Sequence, residues 1–277
     1  MRETSFNVLA VGFFDGVHLG HQAILRGADA ALTFRSHPLL VVAPDRAPQM
    51  IMSVDERVSA IRECGVRKVV LLDFSSRIAS MKPEDFLLMA RARTGFTSIR
   101  CGANWRFGRD GSGTAEWLMK RGESVEVVPY AEFHGAPVSS SRIRECLRKG
   151  AIEDAAAMLG RPVSTPVMRF HGKGMGSGLG FPTVNFEIGS PIAGMLPLGV
   201  YKVECGHVPG IANFGVAPTM GGRAWTKPVL EVYFPSGEVP SERDGETVSF
   251  ISFIRPEKRF ESFDALKAQI ARDCEMI

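Results

Sequence analysis

Residues Asn7–Leu25 read NVLAVGFFDGVHLGHQAIL, and the way this stretch changes character decides what fold to expect. Asn7–Phe13 is apolar and of strand length, which suits a buried strand. A helix-like run follows, and the join holds Asp15, Gly16, His18, Gly20 and His21. A strand that turns into a helix leaves backbone N–H groups unpaired at the helix start, where the peptide dipoles favour negative charge. Gly16 and Gly20 remove side chains, so an anion can approach the backbone. Residues three apart share a face of a helical turn, so His18 and His21 are expected to project together. Two imidazoles there are suited to donate hydrogen bonds to a phosphate in transfer; the plainer reading is a structural pair. Zinc fits less well, because a catalytic zinc site uses three protein ligands and neither a cysteine nor a third histidine is near in sequence.

Working outward, strand-length apolar segments at Val8–Phe13, Ala31–Phe34, Lys68–Phe74, Ser98–Ala103 and Ser124–Pro129 alternate with helical patterns. The helical patterns are Val54–Cys64, Pro83–Thr94, Ala115–Arg121, Ser141–Arg148 and Ile152–Leu159. Near-continuous apolar strands such as Val69–Leu72, alternating with helices, predict a parallel sheet covered on both faces. Gly160 followed by Pro162 stops the last helix and marks a domain boundary, giving a first domain over 1–160. After it, strand candidates come in succession at Val167–His171, Thr183–Ile188, Gly199–Cys205, Ile211–Phe214, Val229–Phe234 and Thr247–Ile254. Only beyond Ser262, a candidate helix cap, do Leu266, Ile270 and Cys274 recur at helical spacing. Residues 161–277 are therefore expected to form a small antiparallel β-barrel with a terminal helix.

Composition removes several function classes. A net charge of +3 with no dense Lys/Arg run argues against nucleic acid as a partner, so any anion must be held by local groups. Five scattered cysteines predict free thiols in a reducing compartment rather than disulfides or a zinc site. No basic-then-apolar leader opens the chain and no run approaches 18 apolar residues, so the expectation is a cytoplasmic protein without a membrane span.

Five motifs, in order, carry a family resemblance. Gly12–His21 resembles the His-x-Gly-His (HxGH) nucleotidyltransferase signature in the form found in bacterial bifunctional riboflavin kinase/FAD synthetases. LTFRSHP (Leu32–Pro38) resembles that family's Thr-Phe-x-Pro-His-Pro, and GANWRFGRDGSG (Gly102–Gly113) its flavin-side Gly-x-Asn-Phe-Arg-Phe-Gly element. VSSSRIRECLRKGAIEDAAAMLGRP (Val138–Pro162) resembles its Ser-Ser-Thr-x-Ile-Arg segment and closing helix pair. GKGMGSGLGFPTVN (Gly172–Asn185) resembles the glycine-rich Pro-Thr-Ala-Asn motif of riboflavin kinases. The resemblance runs nearly end to end. It implies an α/β chain with an N-terminal Rossmann-like nucleotidyltransferase domain followed by a riboflavin kinase barrel. It also implies two activities: phosphorylation of riboflavin to FMN, and adenylylation of FMN to FAD with release of pyrophosphate, each using ATP. Two other readings stay open here: a riboflavin kinase whose first domain has decayed, and a flavin- or nucleotide-binding regulator without turnover.

In adenylyl transfer the nucleophile is already a phosphate anion, so catalysis is positioning and charge stabilisation. His18 and His21 are the expected catalytic donors. Gly12, Phe14, Asp15, Gly16 and Gly20 around them, with Ser140, Ser141 and Arg144 at the start of a later helix, are expected to bind ATP phosphates. Ser139–Ser141 also reads as an ordinary helix cap. Asn104 and Phe107 are expected on the flavin side beside Trp105, although each aromatic taken singly reads equally as core. Gly172, Gly174, Gly176, Gly178 and Gly180 weaken a strand unless a ligand needs the backbone; Gly172, Gly176 and Gly180 are the expected phosphate contacts. Thr183 and Asn185 share one side of an extended chain and offer the hard oxygens that Mg²⁺ takes. Glu231, the one charge in VLEVYF (Val229–Phe234), matches the family's catalytic glutamate, the base for the ribityl 5′-hydroxyl. Without the resemblance it reads equally as an outward strand residue. The implied partners are riboflavin, FMN, FAD and ATP with Mg²⁺ as cofactor, and the oligomeric state stays open.

The chain departs from the family pattern at Phe13 (usually Asn), Ser36 (Pro), Pro137 (often basic), Ser141 (Thr) and Ser177 (often Arg). PSGEVPSERDGE (Pro235–Glu246) replaces an Asp-rich stretch. The largest departure is one of length. Only residues 22–32 separate His21 from Thr33, near the minimum of roughly 10–12 residues for a crossover. The first helix is therefore expected to have two or three turns and to turn back through Arg26–Asp29, with Gly27 supplying a positive φ. The sheet face beside it is expected to be less covered, and FAD synthesis to be the slower and more heat-sensitive activity.

Overall fold

The computed structural model describes residues 7–170, 180–216, 228–241 and 247–277. The chain divides into two compact units between Ser140 and Ser141. In the first unit, β1 (Val8–Val11), α1 (Leu19–Leu25) and β2 (Ala30–Phe34) form the opening crossover. α2 (Leu39–Val42), α3 (Val54–Glu63), β3 (Lys68–Leu72), α4 (Ser76–Ala79), α5 (Pro83–Thr94) and β4 (Ser98–Gly102) follow. Then come β5 (Arg106–Phe107), β6 (Gly113–Thr114), α6 (Ala115–Met119), β7 (Ser124–Val128), β8 (Glu132–Phe133) and β9 (Ala136–Pro137). The expected parallel sheet has five strands in the order β3-β2-β1-β4-β7. The order reverses at β1, with β2 on one side and β4 on the other. Open α/β sheets take ligands at the carboxyl ends of strands at such a reversal. The carboxyl end of β1 leads into the loop that ends at His18, with His21 in the first turn of α1.

Local chemistry fixes the main helices. Ser53 and Glu56 close a reciprocal cap on α3: the Ser53 Oγ accepts the Glu56 N–H at 3.2 Å, and the Glu56 carboxylate accepts the Ser53 N–H at 2.7 Å. α5 opens on Pro83 and ends at Gly95 in the left-handed region. One sheet face buries Leu9, Val11, Leu32 and Ile99 with Phe86 and Ala90 of α5. The other buries Ala10 and Ala31 with Ile24 and Leu25 of α1 and Ala60 and Ile61 of α3.

α1 has seven residues, two turns, in line with the short crossover; Gly27 has φ +80° and the Ala28 N–H returns to the Leu25 carbonyl at 3.0 Å. The expected loss of cover does not follow. On the face that α1 packs against, Ala10 and Ala31 are fully buried. Alanines at 10 and 31 let both α1 and α3 close onto that face, so α3 covers what the short helix leaves. β1 also stops two residues before Phe13, because the chain turns into the loop with positive φ at Phe14 (60°), Gly16 (82°) and Val17 (40°).

In the second unit, α7 (Ser140–Lys149), whose first residue belongs to the first unit, and α8 (Ile152–Leu159) precede β10 (Val163–Phe170) and β11 (Thr183–Ile188). β12 (Gly199–Cys205), β13 (Val208–Gly215), β14 (Val229–Tyr233), β15 (Thr247–Pro256) and the terminal helix α9 (Phe263–Cys274) complete it. The strands close a barrel in the order β10-β11-β14-β13-β12-β15, with all six neighbouring pairs antiparallel. Phe186, Val203, Phe214, Leu230, Val232 and Phe250 are buried in it. β10 begins four residues before the expected Val167. Pro166 suppresses a strand reading in sequence. It sits where β10 changes partner, since Val163–Pro166 register with β15 and Val167–Phe170 with β11, a place where a missing N–H is tolerated.

Candidate active sites

His18 is the N-cap of α1, and its Nδ1 accepts the His21 N–H at 3.4 Å. An Nδ1 acting as acceptor puts the ring proton on Nε2. The two rings stack, with centroids 3.6 Å apart and planes 18° from parallel. Gly20 makes this possible: a Cβ there would lie 3.3 Å from the His18 ring. Phe14 is buried and meets His21 edge-on at 5.4 Å. Gly12 leaves room for it, since a Cβ at 12 would come within 2.7 Å of the Phe14 ring. Burial, then the neighbouring His18 and Arg57, hold the His21 imidazole well below its ordinary pKa. A neutral His21 stacked on His18 avoids placing two like charges face to face.

The surrounding polar groups set the loop. Asp15 is buried, and its carboxylate accepts the Ile51 N–H at 3.1 Å and the Met52 N–H at 3.3 Å. These bonds tie the segment before α3 to the loop and turn the carboxylate inward. Ser140 Oγ donates to the Asp15 carbonyl at 2.9 Å, and Thr33 Oγ1 to the Phe13 carbonyl at 2.9 Å. In α7, Ser141 is exposed and Arg144 is buried.

A cavity of about 770 Å³ in the first unit begins at Gly12 and Phe13 and is walled by aromatics, among them Phe34, Phe74, Trp105 and Phe107. Trp105 stacks on Phe107 at 4.5 Å and 17°. Phe107 is buried against Phe86 at 5.5 Å and Trp117 at 5.7 Å, so it is core that supports Trp105. Asn104 is exposed and does not line this cavity.

The barrel carries a second cavity, about 1130 Å³, lined by Thr183, Asn213, Glu231 and Tyr233 on one side and by Leu266 and Ile270 of α9 on another. Register explains the grouping. Glu231 pairs with Asn185 on β11 and with Asn213 on β13, while Thr183 pairs with Tyr233. Alternation then turns Leu230 and Val232 into the buried core and leaves Glu231 half-buried on the cavity side. Burial pushes the Glu231 carboxyl above its ordinary pKa. α9 is tied down by Asp273, which takes Arg255 Nη2 at 2.6 Å and Gln269 Nε2 at 2.9 Å. Asp273→Ala is expected to leave a partly buried guanidinium without its carboxylate and to lower stability by about 3 kcal/mol, read as a urea midpoint shift.

Residues 1–142 match the model of the FAD synthetase family and residues 159–277 that of the riboflavin kinase family. The chain belongs to the bifunctional riboflavin kinase/FMN adenylyltransferase family. Relatives of that description include the Escherichia coli K12 protein, 32% identical over 96% of this chain and 90% of its own length. The Bacillus subtilis 168 protein is 27% identical over 98% and 91%. A solved Streptococcus pneumoniae structure, described as a macrolide-efflux protein, superposes with a TM-score of 0.84 at 30% identity, covering 99% of this chain and 94% of that one. No helix among the described residues is long and apolar enough to cross a membrane.

Within the FAD synthetase segment the structure brings Gly12, Phe14, Asp15, Gly16, His18, Gly20 and His21 together with Ser140. In the riboflavin kinase segment it aligns Thr183, Asn185 and Glu231 on neighbouring strands. Gly180 has φ +85°; Gly172, Gly174, Gly176 and Gly178 lie outside the described residues. Sequence reading missed Asn213 and Arg57. Ile211 and Asn213 are spaced like Thr183 and Asn185, but only strand register places Asn213 beside Glu231. Arg57 sits three and four residues before the buried Ala60 and Ile61, an apolar-face position that marks it as a buried cation. It donates to the Phe34 carbonyl at 2.7 Å and the Arg35 carbonyl at 3.0 Å, and lies 4.4 Å from the Phe13 ring.

Proposed function

We propose that this chain makes FAD from riboflavin in two ATP-dependent steps at two sites. The barrel domain, 161–277, phosphorylates riboflavin to FMN, and the α/β domain, 1–160, adenylylates FMN and releases pyrophosphate. The observation that carries this reading is that the chain matches both family models, one in each segment, and that each segment has a cavity of its own.

In the first site the His18 Nε2–H and a neutral His21 donate to the phosphates whose charge builds during transfer. Gly12, Phe14, Gly16 and Gly20 shape the loop around them, and Asp15 and Ser140 hold it. Ser141 and Arg144 are phosphate-binding candidates that the family resemblance implies. The flavin ring occupies the aromatic cavity, on the face of Trp105 opposite the one that Phe107 covers, and Asn104, outside the lining, is the flavin-side candidate that the family resemblance implies. In the second site Glu231 accepts the ribityl hydroxyl proton, a task its raised pKa suits. Gly172, Gly176 and Gly180 give ATP phosphates access to the backbone. Thr183 and Asn185 fit Mg²⁺, since a hydroxyl and an amide oxygen on one strand face are hard neutral ligands beside a carboxylate. When bound with ATP, the ion neutralises charge on the phosphates. A cytoplasmic location agrees with five free cysteines.

Incubation with riboflavin and MgATP, followed by chromatography of the flavins, tests this. FAD is the expected product. FMN alone would indicate a kinase with an inactive first domain, and unchanged riboflavin a binding protein.

A further inference from the structure

The two histidines stand at one end of a helix only two turns long. Helices this short do not persist on their own, so something outside α1 must hold it. Its N-terminal end is tied to the loop. Its other end meets a charged residue from the middle of the sheet. Arg100 on β4 registers with Ala10 on β1 and with Glu126 on β7. It therefore shares the face that Ile24 and Leu25 of α1 cover. Its Nη1 donates to the Arg26 carbonyl at the C-cap of α1, and its Nη2 lies 2.8 Å from Glu126 Oε1.

The side chain of Arg100 is only 17% exposed, whereas Glu126 is 59% exposed. The arginine side chain is thus largely covered on that sheet face, and a cation sits at the negative end of the helix. Gly27 completes the fit: a Cβ there would lie 3.0 Å from Arg100 Nη1. From that end the coupling to the active site is short. The Arg26 N–H bonds to the Gln22 carbonyl at 2.9 Å, and the Gln22 N–H bonds to the His18 carbonyl at 2.9 Å. Two hydrogen bonds in series link the braced end to the N-cap histidine.

We propose that Arg100, steadied by Glu126, is a positioning residue for adenylyl transfer: it clamps the C-terminal end of α1, and through it fixes His18 and His21, in place of the helical turns that the short crossover lacks. This rests on the reading that the first domain transfers the adenylyl group. The guanidinium–carbonyl contact carries the effect. An ion pair with a largely exposed carboxylate contributes little, so Glu126→Gln should change the rate by less than about twofold.

The test uses the full chain at 15 °C with Arg100→Leu, Arg100→Lys and the wild type. Three quantities are measured: FAD formation from supplied FMN, FMN formation from riboflavin, and hydrogen exchange of the α1 amides. Arg100→Leu is expected to lower kcat for adenylyl transfer about tenfold, since misplaced reacting groups cost rate steeply, with KM for FMN nearly unchanged. Phosphorylation should keep its wild-type rate, α1 amides should exchange faster, and Arg100→Lys should recover part of both losses. A wild-type adenylyl kcat in Arg100→Leu, unchanged exchange in α1, or a lysine variant no better than leucine would overturn the proposal. A residue that only stabilises the fold would lower the unfolding temperature without moving kcat at 15 °C. If the leucine variant does not fold, the lysine variant must still show an adenylyl kcat below that of the wild type together with faster α1 exchange, and wild-type values of both would overturn the proposal. Failure of the wild type to make FAD would instead overturn the activity reading, and the exchange measurement would still judge the brace.

Discussion

Glu231→Gln is expected to lower FMN formation from riboflavin by about 10²–10⁴-fold, the range for a lost general base, while FAD is still made when FMN is supplied. The amide keeps the shape of the side chain but cannot take the ribityl proton. Glu231 lies between Asn185 and Asn213 across three strands, where burial raises its pKa from the ordinary 4.5. A raised folded-state pKa means that the ionised form is disfavoured by folding. Its stability contribution is greatest at low pH and falls as pH rises through the folded value. At pH 7 the glutamine variant should therefore be at least as stable as the wild type, which separates lost chemistry from lost fold. The wild-type phosphorylation rate should fall on the acid side at a pH above the usual carboxylate range. A glutamine variant with wild-type phosphorylation would remove Glu231 from its role.

His18→Ala is expected to lower FAD formation by about 10²–10³-fold, the usual cost of one donor to a developing oxyanion, while FMN accumulates. Alanine removes the Nε2–H donor and also the acceptor that caps the His21 N–H, so alignment and donation fail together. His21 carries the pH signature. Its pKa in the folded chain is well below the ordinary 6.5 because of burial and the nearby His18 and Arg57. Below about pH 6.5 the unfolded chain gains a proton that the folded site refuses, so stability of the first domain should decline as pH falls. Initial rates from FMN with and without the substitution, with the riboflavin step as internal control, measure the first effect. Urea unfolding between pH 5 and 8 measures the second.

Much of the fold is legible along the chain because it rests on short-range pattern. Near-continuous apolar strands such as Lys68–Leu72, apolar after its first residue, and a capped helix such as Val54–Glu63 declare themselves within a few residues. The loop between β1 and α1 is legible for the same reason: Gly20 and His18 must touch, and they are neighbours in sequence. What sequence reading misjudges depends on partners far away. β10 extends back to Val163 because β15 receives it across a proline. Asn213 joins Glu231 only through β13–β14 register. The short helix predicts an uncovered sheet, yet Ala60 and Ile61 of α3, with Arg100 of β4, fill that face. The expectation that FAD synthesis is the weaker activity therefore loses its structural ground.

The central claim is that one chain holds two sites that act in sequence and separately. Mixing the His18→Ala and Glu231→Gln chains with riboflavin and MgATP tests it most directly. The first variant alone should stop at FMN, and the second alone should leave riboflavin unchanged. Together they are expected to make FAD after a lag, as FMN from one chain is taken up by the other. If the mixture makes no FAD although each variant retains its own half-reaction, FMN does not pass freely between separate sites. If either substitution abolishes both half-reactions in a folded chain, the two-site account is wrong.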